Sequence, residues 1–356
     1  ESFRAPLNIG GNDVIITFSI GVAVDTAGDA TPRELLLNAS LAMERAKKKG
    51  KGRFEIFDRE LGKQAIHRLN LETRLRQAPF AGEMRVHYQP EVLLESGRIA
   101  GMEALVRWQH PVHGLLGPDK FIPMAEETGL IVRVGRWILG EALATLGAIR
   151  RLTPLEDAFH LSVNVSVAQL EHDPDFLDHL GEVLAAEGIL PGHLVIEITE
   201  TAQEMEPLVE VLEQIRMMGV GVAIDDFGTG YSSLSRLKSL PASVVKVDQR
   251  FVRGIQDPAN LAIVRSVVDL ASVLNLEVTA EGIETPRQLE LVRSAGCNRG
   301  CGYYFSKPVP REQLMELLVH GVLPAARFTT AATLPALPAL PAAPPAPHQP
   351  SPLSGT

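Results

Sequence analysis

The sequence predicts an α/β barrel, preceded by a partial α+β segment and followed by an Ala/Pro-rich tail. From about residue 81 onward, eight apolar runs of strand length alternate with longer stretches of helical periodicity. No glycine-rich dinucleotide-binding loop follows the first of these strands, which disfavours a flat, doubly wound sheet. Polar residues follow several of the apolar runs, at the positions where the strands of a barrel deliver functional groups.

The composition is that of a globular protein, and its net charge does not indicate general binding to nucleic acid or to anionic membranes. The chain has 356 residues, of which 45% are hydrophobic, and a formal net charge of −9. This acidity argues against general nucleic-acid or anionic-membrane binding, but it leaves room for a local basic pocket for a small phosphorylated ligand. The two cysteines, Cys297 and Cys301, suit a reducing compartment. Because no apolar run reaches the roughly 20 residues of a membrane span and no signal-peptide layout is seen, we expect a cytoplasmic location.

The N-terminal residues predict a strand, a helix and a second strand. Residues 12–24 form one apolar run that predicts a strand. Apolar residues at helical spacing from Leu35 to Ala46 predict a helix, with Pro32 in its first turn. A short strand at residues 53–57 closes this piece, which is too short for an independent core. A polar amphipathic helix at 59–80 is expected to join it to the barrel.

The barrel elements follow in order along the chain. Strands are predicted at 85–92, 101–108, 160–166, 194–200, 220–228, 243–249, 277–283 and 301–308. Helices between them are predicted at Phe121–Leu146, Asp175–Glu187, Pro207–Met218, Leu261–Leu274 and Pro286–Ser294. From about Ala325 the composition predicts a disordered or polyproline-like tail, with a PxxP ligand role as a minor alternative.

Oxygen-bearing side chains and one lysine lie on six of the predicted strands, in each case after an apolar run. They are Glu103, Asn164, Glu197, Asp225, Asp226, Lys246, Asp248 and Glu281. A single buried carboxylate at a strand end is usually a satisfied structural residue. Several of them delivered to one rim of a barrel indicate a site instead.

The donor types in this set point to hard divalent cations. Carboxylate and amide oxygens suit Mg²⁺ or Mn²⁺. No histidine or cysteine occurs among the ligand candidates Glu103, Asn164, Glu197 and Asp225, which disfavours zinc. The adjacent Asp225 and Asp226 would repel each other unless they share cations. Asp226 is therefore expected to help hold a second ion, about 3.5 to 4 Å from the first. Lys246 either orients a water molecule or stabilises negative charge, or it pairs with Asp248 or Asp226.

Residues 84–318 resemble the EAL domain of cyclic-di-GMP phosphodiesterases. The resemblance is carried in order by "YQPEV", "MEALVRWQHP", "FIPMAEETGLI", "SVNVS", "IEITET", "AIDDFGTGYSSL", "VVKVDQRFV", "TAEGIET" and "GYYFSKP". It implies hydrolysis of one phosphodiester bond of cyclic-di-GMP to linear pGpG, with Mg²⁺ or Mn²⁺. It also implies a modified TIM (β/α)8 barrel whose first strand is antiparallel.

The resemblance assigns roles to the residues at the rim. It implies Glu103, Asn164, Glu197 and Asp225 as ligands of the first metal, Asp226 and Asp248 at the second, Lys246 as the lysine that contacts the catalytic water, and Glu281 as a catalytic glutamate of the rim. It implies that Arg107 binds a substrate phosphate, where the alternative is a surface ion pair. Gln89, Leu105 and Tyr303 are implied on the substrate side, with Tyr303 stacking on guanine or lying in the core. Glu200 is implied to brace the loop after the aspartate pair, and Glu284 to have a supporting role.

Cys301 is a departure from the family pattern. Family members usually carry glutamine at this position, two residues before the first tyrosine of "GYYF". Cysteine is shorter and is a weak hydrogen-bond partner, so a contact made by the amide is lost or changed. This affects the expected rate more than the expected metal site. A redox role together with Cys297 is the weaker alternative to two unlinked thiols.

Residues 1–58 resemble the C-terminal end of GGDEF (diguanylate cyclase) domains. The "TFSIGVA" strand and the "NASLAMERAKKKGKGRFEIF" helix and strand carry this resemblance. The signature loop of the cyclase is absent, so no cyclase activity is assigned. The predicted organisation is a cyclase-domain fragment at 1–58, a linker helix at 59–80, the phosphodiesterase barrel at 81–322 and the tail at 323–356.

Three functions follow from these observations. An active cyclic-di-GMP phosphodiesterase accounts for the full acidic set and for Lys246. A catalytically silent receptor that signals by binding the dinucleotide is the alternative, and Cys301 favours it. A scaffold that only dimerises leaves the acidic rim unexplained. The resemblance also implies a homodimer, formed through the region around the aspartate-pair loop.

Overall fold

The structure is a computed structural model that describes residues 7–10, 12–25, 30–79, 81–152, 159–200, 206–228 and 240–319. The Ala/Pro-rich tail and residues 229–239 of the loop after the aspartate pair lie outside the described residues. Within the described part of the chain, no helix combines the length and the apolar character that crossing a membrane requires.

The N-terminal segment contains two small sheets and one helix. Strands β1 (Leu7–Ile9) and β2 (Asn12–Val14) form an antiparallel pair. Strand β3 (Ile20–Val22) and strand β4 (Phe54–Ile56) pair in parallel across helix α1 (Pro32–Lys48). The prediction of one strand over 12–24 is wrong, because β3 pairs only over the three residues that face β4. Pro32 lies in the first turn of α1 as predicted, next to a capping box formed by Thr31 and Glu34.

Helix α2 (Arg59–Leu75) connects this segment to the barrel. Asp58 caps it by accepting a hydrogen bond from the backbone of Leu61 at 2.7 Å. The helix ends at Leu75, before the predicted end at residue 80. Residues 76–79 form a turn that leads toward the barrel. Leu75 is buried in the main hydrophobic core, so the C-terminal half of α2 packs on the barrel.

The barrel consists of eight strands. They are β5 (Met84–Leu93), β6 (Ile99–His110), β8 (His160–Asn164), β9 (Leu194–Thr199), β10 (Gly221–Phe227), β11 (Val244–Val247), β12 (Glu277–Ala280) and β13 (Arg299–Gly300), with β7 (Gly114–Leu116) added to β6 and β14 (Val309–Pro310) added to β5. From β6 through β8 to β13 all neighbours are parallel, and β5 closes the ring by pairing antiparallel with both β6 and β13. This confirms the modified barrel with one antiparallel strand. Strand β9 is buried up to its last residue, as expected of a parallel strand covered on both faces.

Helices cover the outside of the barrel. They are α3 (Ile122–Glu127), α4 (Ile131–Leu152), α5 (Val167–His172), α6 (Phe176–Glu187), α7 (Glu206–Met217), α8 (Gln249–Arg253), α9 (Pro258–Val273), α10 (Pro286–Ala295) and α11 (Arg311–Val319). The single helix predicted at 121–146 is wrong, since two helices occupy this stretch. The first one ends where the Thr128 hydroxyl donates to the carbonyl of Met124 at 2.7 Å and Gly129 takes a left-handed conformation, with φ +70°.

The last strand lies earlier than predicted. Residues 301–308 do not form a strand, and β13 is limited to Arg299 and Gly300. Gly302 has φ +151°, and a Cβ atom there would lie 2.2 Å from the carbonyl oxygen of Ile283. The chain therefore leaves the sheet directly after β13, which places Cys301 and Tyr303 at the rim of the barrel rather than inside a strand.

Candidate functional site

Lys246 lies at the centre of an acidic cluster inside the rim of the barrel. Its side chain is 1% exposed, and its ammonium group is 2.7 Å from Glu281, 2.8 Å from Glu197, and 3.3 Å from both Glu103 and Asp225. We call these five residues the acidic centre. The four carboxylates come from or directly follow strands β6, β9, β10 and β12, so the barrel closure itself brings them together. The sequence suggested Asp248 or Asp226 as the partner of Lys246, but neither carboxylate lies within ion-pair distance of its ammonium group.

The electrostatics of the acidic centre favour added positive charge. Burial, reinforced by Glu103, raises the pKa of Glu197 well above its ordinary value. Burial also raises the pKa of Glu281 to about 8, with Lys246 opposing the rise and Asp225 adding to it. Burial alone would lower the pKa of Lys246, but the four carboxylates raise it well above its ordinary value. One ammonium does not balance four carboxylates, so further cations are attracted to this site.

Asn164 joins two of these carboxylates. Its side-chain amide donates to Glu103 at 2.8 Å and to Glu197 at 3.2 Å. The last residue of β8, Asn164, is in register with Glu197 on the neighbouring β9. A half-turn of the amide would present its oxygen, in place of the nitrogen, to an ion held by the two glutamates.

The two adjacent aspartates occupy an irregular part of β10. The register between β10 and β11 shifts between Ile224 and Phe227, which inserts an extra residue into β10. Asp226 has φ +54°, and its backbone N–H donates to the carboxylate of Asp225 at 3.0 Å. A left-handed non-glycine residue carries strain of order 1–3 kcal/mol, which the surrounding structure must maintain. The bulge brings carboxylate oxygens of Asp225, Asp226 and Glu281 within 4.8 Å of one another.

Asp248 lies beside Asp226. It accepts hydrogen bonds from the backbone N–H of Arg250 at 2.6 Å and from the Arg250 guanidinium at 3.0 Å. Burial opposes ionisation of Asp248, but the Arg250 backbone and the Asp226 side chain outweigh it and lower its pKa. Burial and then Asp225 raise the pKa of Asp226 to about 6. At neutral pH and without ions, these groups keep a dense negative charge on the rim.

The donor set fits hard divalent ions. Carboxylate and amide oxygens surround the centre, and these are the ligands that Mg²⁺ and Mn²⁺ prefer. The Oε1 atom of Glu197 is buried and has no hydrogen-bond partner among the described residues. A buried carboxylate oxygen without a partner is costly unless a cation or water satisfies it. A second three-residue group consists of Glu103, Glu281 and Cys301, whose donor atoms also lie within 4.8 Å of one another.

Two cavities open beside the acidic centre. The first has a volume of about 240 Å³ and is lined by Gln89, Glu103, Leu105, Arg107, Asp225, Gln249, Arg253, Glu281, Gly282, Glu284, Cys301, Gly302, Tyr303 and Pro308. The second, of about 710 Å³, shares Glu103, Leu105 and Asp225 with the first and extends toward Asn164 and Glu197. The acidic centre therefore lies between two spaces that are large enough together for an extended ligand.

The residues predicted on the substrate side all line the first cavity. The Gln89 amide donates to the carbonyl of Ser306 at 3.0 Å. Arg107 is half-buried, and its guanidinium donates to the carbonyl of Val106 at 2.8 Å rather than to a carboxylate. Tyr303 is 57% exposed, with the Lys307 ammonium 5.4 Å from the centre of its ring. This exposure places Tyr303 at the cavity mouth and not in the core.

The two glutamates predicted as supports lie in different places. Glu200 is buried, and its carboxylate accepts a hydrogen bond from the backbone of Gly228 at 3.1 Å, directly before the loop after the aspartate pair. Glu284 lies at the cavity edge and forms an ion pair with Arg253 at 3.3 Å. Sequence reasoning missed Arg253, although it lies on α8, the helix that begins directly after Asp248. It also missed Gln249 and Gly282, which directly follow Asp248 and Glu281, and Pro308, which ends the "GYYFSKP" motif.

A second polar cluster lies beneath the site, inside the barrel. Glu91 is buried and lies 3.2 Å from His160, and Arg299 donates to the other ring nitrogen of His160 at 2.8 Å. Arg299 also pairs with Glu277 at 2.8 Å. A Cβ atom on Gly101 would lie 2.6 Å from the His160 ring, so glycine makes room for this histidine. The cluster closes the barrel interior below the acidic centre and was not predicted.

Comparison with known proteins places these features in a family. The model of the EAL domain matches residues 72–308. The bifunctional diguanylate cyclase/cyclic di-GMP phosphodiesterase MucR of Pseudomonas aeruginosa is 40% identical over 317 residues, which cover 87% of this chain and 45% of that protein. The cyclic di-GMP phosphodiesterase NbdA of the same species is 36% identical over 321 residues, which cover 89% of this chain and 41% of that protein. The chain thus spans less than half the length of these relatives.

A solved structure shares the fold. The PaMucR phosphodiesterase in complex with c-di-GMP is 42% identical, with a TM-score of 0.66, and the match covers 69% of this chain and 99% of that one. The matched part of the present chain is therefore similar in sequence and in fold to a phosphodiesterase domain that binds this dinucleotide.

Proposed function

The chain belongs to the EAL domain family, and from this membership we propose that it hydrolyses cyclic-di-GMP to linear pGpG. The observation that carries the proposal is the acidic centre, in which four carboxylates from separate strands surround Lys246 beside a cavity lined by Arg107 and Arg253. An anionic dinucleotide requires cationic groups for its phosphates, and hydrolysis of a phosphodiester requires a group that delivers or polarises water. Both requirements are met on one rim.

The same residues would hold two divalent ions, Mg²⁺ or Mn²⁺. Glu103, Asn164, Glu197 and Asp225 would hold the first ion, and Asp226 with Asp248 would hold the second; the contacts of Asn164 with both glutamates and the closeness of Asp225 to Asp226 support this assignment. When bound, such ions lower the pKa of water and neutralise negative charge on the phosphate. The buried oxygen of Glu197 that has no partner within the described part of the chain, and the excess of carboxylates, support this assignment.

Lys246 and Glu281 divide the proton chemistry between them. Lys246 remains an ammonium, because four carboxylates hold its pKa high, so it donates hydrogen bonds and does not accept a proton. It can orient an attacking oxygen or stabilise negative charge that develops on the phosphate. Glu281, with a pKa raised to about 8, exchanges a proton near neutral pH, as a general acid or base requires.

The cavity residues would bind the dinucleotide. Arg107 offers a fork of N–H donors to a phosphate, and Arg253, which lines the same cavity, offers further donors. The exposed ring of Tyr303 at the mouth is available to stack on a guanine base. Gln89 and Leu105 line the same cavity and would help to fix the orientation of the ligand.

We further propose that residues 1–58 are a fragment of a GGDEF domain, joined by α2 to a barrel domain over 81–322. The 317-residue match to a bifunctional cyclase and phosphodiesterase is longer than the 237 residues from 72 to 308, so it includes residues outside the barrel domain. Leu36, Leu37 and Phe54 are exposed by 72%, 59% and 65%, as expected of a piece that packs within a larger domain. A homodimer and a cytoplasmic location complete the proposal.

The alternative function is a receptor that binds cyclic-di-GMP without turnover. Cys301 is the observation that favours it, because a buried thiol lines the cavity where the family usually has an amide. A thiol does not replace the donors and acceptors of glutamine, so positioning of the water or the ligand changes.

A turnover assay separates these functions. The purified chain is incubated with cyclic-di-GMP and Mg²⁺ or Mn²⁺, and pGpG is quantified by chromatography. Formation of pGpG that stops on addition of a chelator supports the phosphodiesterase. Tight binding of cyclic-di-GMP without pGpG supports the receptor, and neither binding nor hydrolysis refutes both.

A further inference from the structure

Cys301 is a buried thiol within the acidic centre, and the proposed reaction gives it no role. Its exposure is 4%, and its sulfur lies within 4.8 Å of carboxylate oxygens of both Glu103 and Glu281. Among the described residues, it is the one sulfur that takes part in a three-residue group of potential metal ligands. The other cysteine, Cys297, is also buried, but it packs in the hydrophobic core.

The backbone on either side fixes where the sulfur lies. The N–H of Cys301 donates to the carbonyl of Ala280 at 3.0 Å, and its own carbonyl accepts from the N–H of Ile283 at 3.0 Å. Gly302 follows at φ +151°, packed against the backbone of Ile283. The thiol is therefore held at the cavity wall by the end of β13 and the segment after β12, and it is not a mobile surface group.

One sulfur and two carboxylates form a different ligand set from the all-oxygen set of the hard ions. Thiolate is a soft ligand that selects Zn²⁺ and its heavier analogue Cd²⁺ over Mg²⁺ and Mn²⁺. A tetrahedral Zn²⁺ site requires donor separations of about 3.4 to 3.6 Å, given Zn–S and Zn–O bonds of about 2.3 and 2.1 Å. The observed separations lie within 4.8 Å, so a bound ion would require the side chains of Glu103 and Glu281 to rotate toward the sulfur. Glu197 contacts Lys246 through Oε2, as Glu103 and Glu281 contact it through their own carboxylates, and its buried Oε1, which has no partner among the described residues, is a further donor in the same centre.

We propose that Cys301, with Glu103 and Glu281, forms a site for a thiophilic divalent cation of the Zn²⁺ class. Binding exchanges the proton on the thiol for the cation, so an S–H bond is replaced by a sulfur–metal bond and one proton leaves to solvent. The site overlaps the proposed Mg²⁺ or Mn²⁺ site through Glu103, so the soft ion and the hard ion compete. The proposal deepens the metal requirement of the proposed function, but its test does not depend on turnover.

Cobalt absorbance tests the sulfur contact directly, because Co²⁺ adopts the geometry of Zn²⁺ and a thiolate bound to it absorbs in the near ultraviolet. The full chain is stripped with a chelator and titrated with Co²⁺. The same titration is run on Cys301→Ser, on Cys301→Gln and on the matched control Cys297→Ser. Affinities for Cd²⁺ and for Mn²⁺ are measured on all four proteins by calorimetry.

We expect the thiolate band in the parent and in Cys297→Ser, and its loss in both Cys301 variants. The affinity for Cd²⁺ falls by at least roughly 10- to 100-fold in the Cys301 variants, since this is already the range seen when a residue that only orients a metal ligand is lost, whereas Mn²⁺ affinity changes far less. A parent without the band overturns the proposal, whatever the variants do. So does a band that survives in Cys301→Ser, or an equal loss of Cd²⁺ and Mn²⁺ affinity.

These outcomes are separate from those of the proposed function. A parent that shows the thiolate band but produces no pGpG retains the soft-metal site and loses the phosphodiesterase assignment. A parent that produces pGpG without the band retains the phosphodiesterase and loses the soft-metal site. If Cys301→Ser does not fold, Cys301→Gln carries the comparison, because it restores the residue usual in the family.

Discussion

At the scale of single residues, the site depends on one ammonium group, whose single positive charge does not balance the charge of the four carboxylates around it. Lys246 contacts four carboxylates within 3.3 Å, and burial prevents water from screening them. In the absence of other cations this arrangement is held together by Lys246 and by partial protonation of Glu281 and Asp226. Divalent ions would replace both effects, which explains why so many acidic groups converge on one point.

Glu103 provides the first test at this scale. Replacing it with alanine removes a carboxylate from the acidic centre, and we expect turnover to fall by roughly 10²-fold or more, as when a group that stabilises transition-state charge is removed. The matched control is Glu284→Ala, since Glu284 lines the same cavity but contacts Arg253 rather than Lys246. The control should lose less activity. Equal activity of Glu103→Ala and the parent would contradict the assignment.

The pH dependence of Mn²⁺ binding provides the second test at the scale of single residues. The pKa of Glu281 is raised to about 8, chiefly by burial, so below this pH the ion-free protein carries a proton that binding must expel. Affinity should therefore rise as pH rises from 6.5 to 8, by up to about tenfold per pH unit for one proton. Calorimetric titration across this range measures the slope. Glu281→Gln should flatten it, and an affinity that falls with rising pH in the parent would count against this account.

At the scale of elements, irregular backbone positions the functional groups. The extra residue in β10 and the left-handed Asp226 bring both aspartates toward Glu281. The two-residue strand β13 ends early, so Cys301 and Tyr303 reach the cavity. Both features depend on local conformations that cost stability and that the surrounding packing maintains.

Gly302 tests this dependence. A Cβ atom at this position would lie 2.2 to 2.8 Å from the backbone of Ile283, and the φ angle of +151° disfavours any L side chain. We expect Gly302→Ala to lower the free energy of unfolding by roughly 2 kcal/mol or more. Gly140→Ala is the control, because it lies in α4 with no atom within 4 Å of the added carbon, and it should be neutral or stabilising. Urea denaturation gives both values, and equal effects would contradict the packing argument.

The elements also show what the sequence could and could not predict. The apolar runs of the sequence located β5, β6 and β8 to β12, because each of these strands carries enough buried residues to show a pattern. They did not reveal β7, which has three residues and none of them buried. The apolar pattern failed to locate β13, because a strand of two residues shows no periodicity. It also failed to show the break between α3 and α4, because the apolar spacing continues across Thr128 and Gly129. It also failed at 12–24, where strand formation depends on the distant partner β4.

At the scale of the whole molecule, barrel closure assembles the site. Glu103 lies within β6 rather than at its end. It still reaches the acidic centre, because β6 pairs with β8 in the region of Glu103 and the later residues of β6 extend past the rim. The sequence placed the acidic residues on one rim because parallel strands point their carboxyl ends the same way. It could not show that Lys246 contacts four of them, that Arg253 lines the same cavity as Arg107, or that the Glu91, His160 and Arg299 cluster lies beneath. These contacts join residues that are distant in sequence.

The N-terminal segment is connected to the barrel near the second cavity. Glu127 at the end of α3 pairs with Lys48 of α1 at 3.2 Å and also contacts Arg68 of α2. The preceding residue, Glu126, lines the second cavity. Exposed ion pairs contribute about 0–1 kcal/mol each, so this connection orients the two parts without locking them together.

The most direct measurement of the central claim is the position of bound Mn²⁺. A crystal grown with Mn²⁺ and measured at a wavelength where manganese scatters anomalously locates each ion without assumptions about the ligands. We expect one peak within bonding distance of the carboxylates of Glu103, Glu197 and Asp225, and a second beside Asp226 and Asp248. Peaks only elsewhere on the protein, or none in the acidic centre, would contradict the proposal that these carboxylates are gathered to hold metal ions.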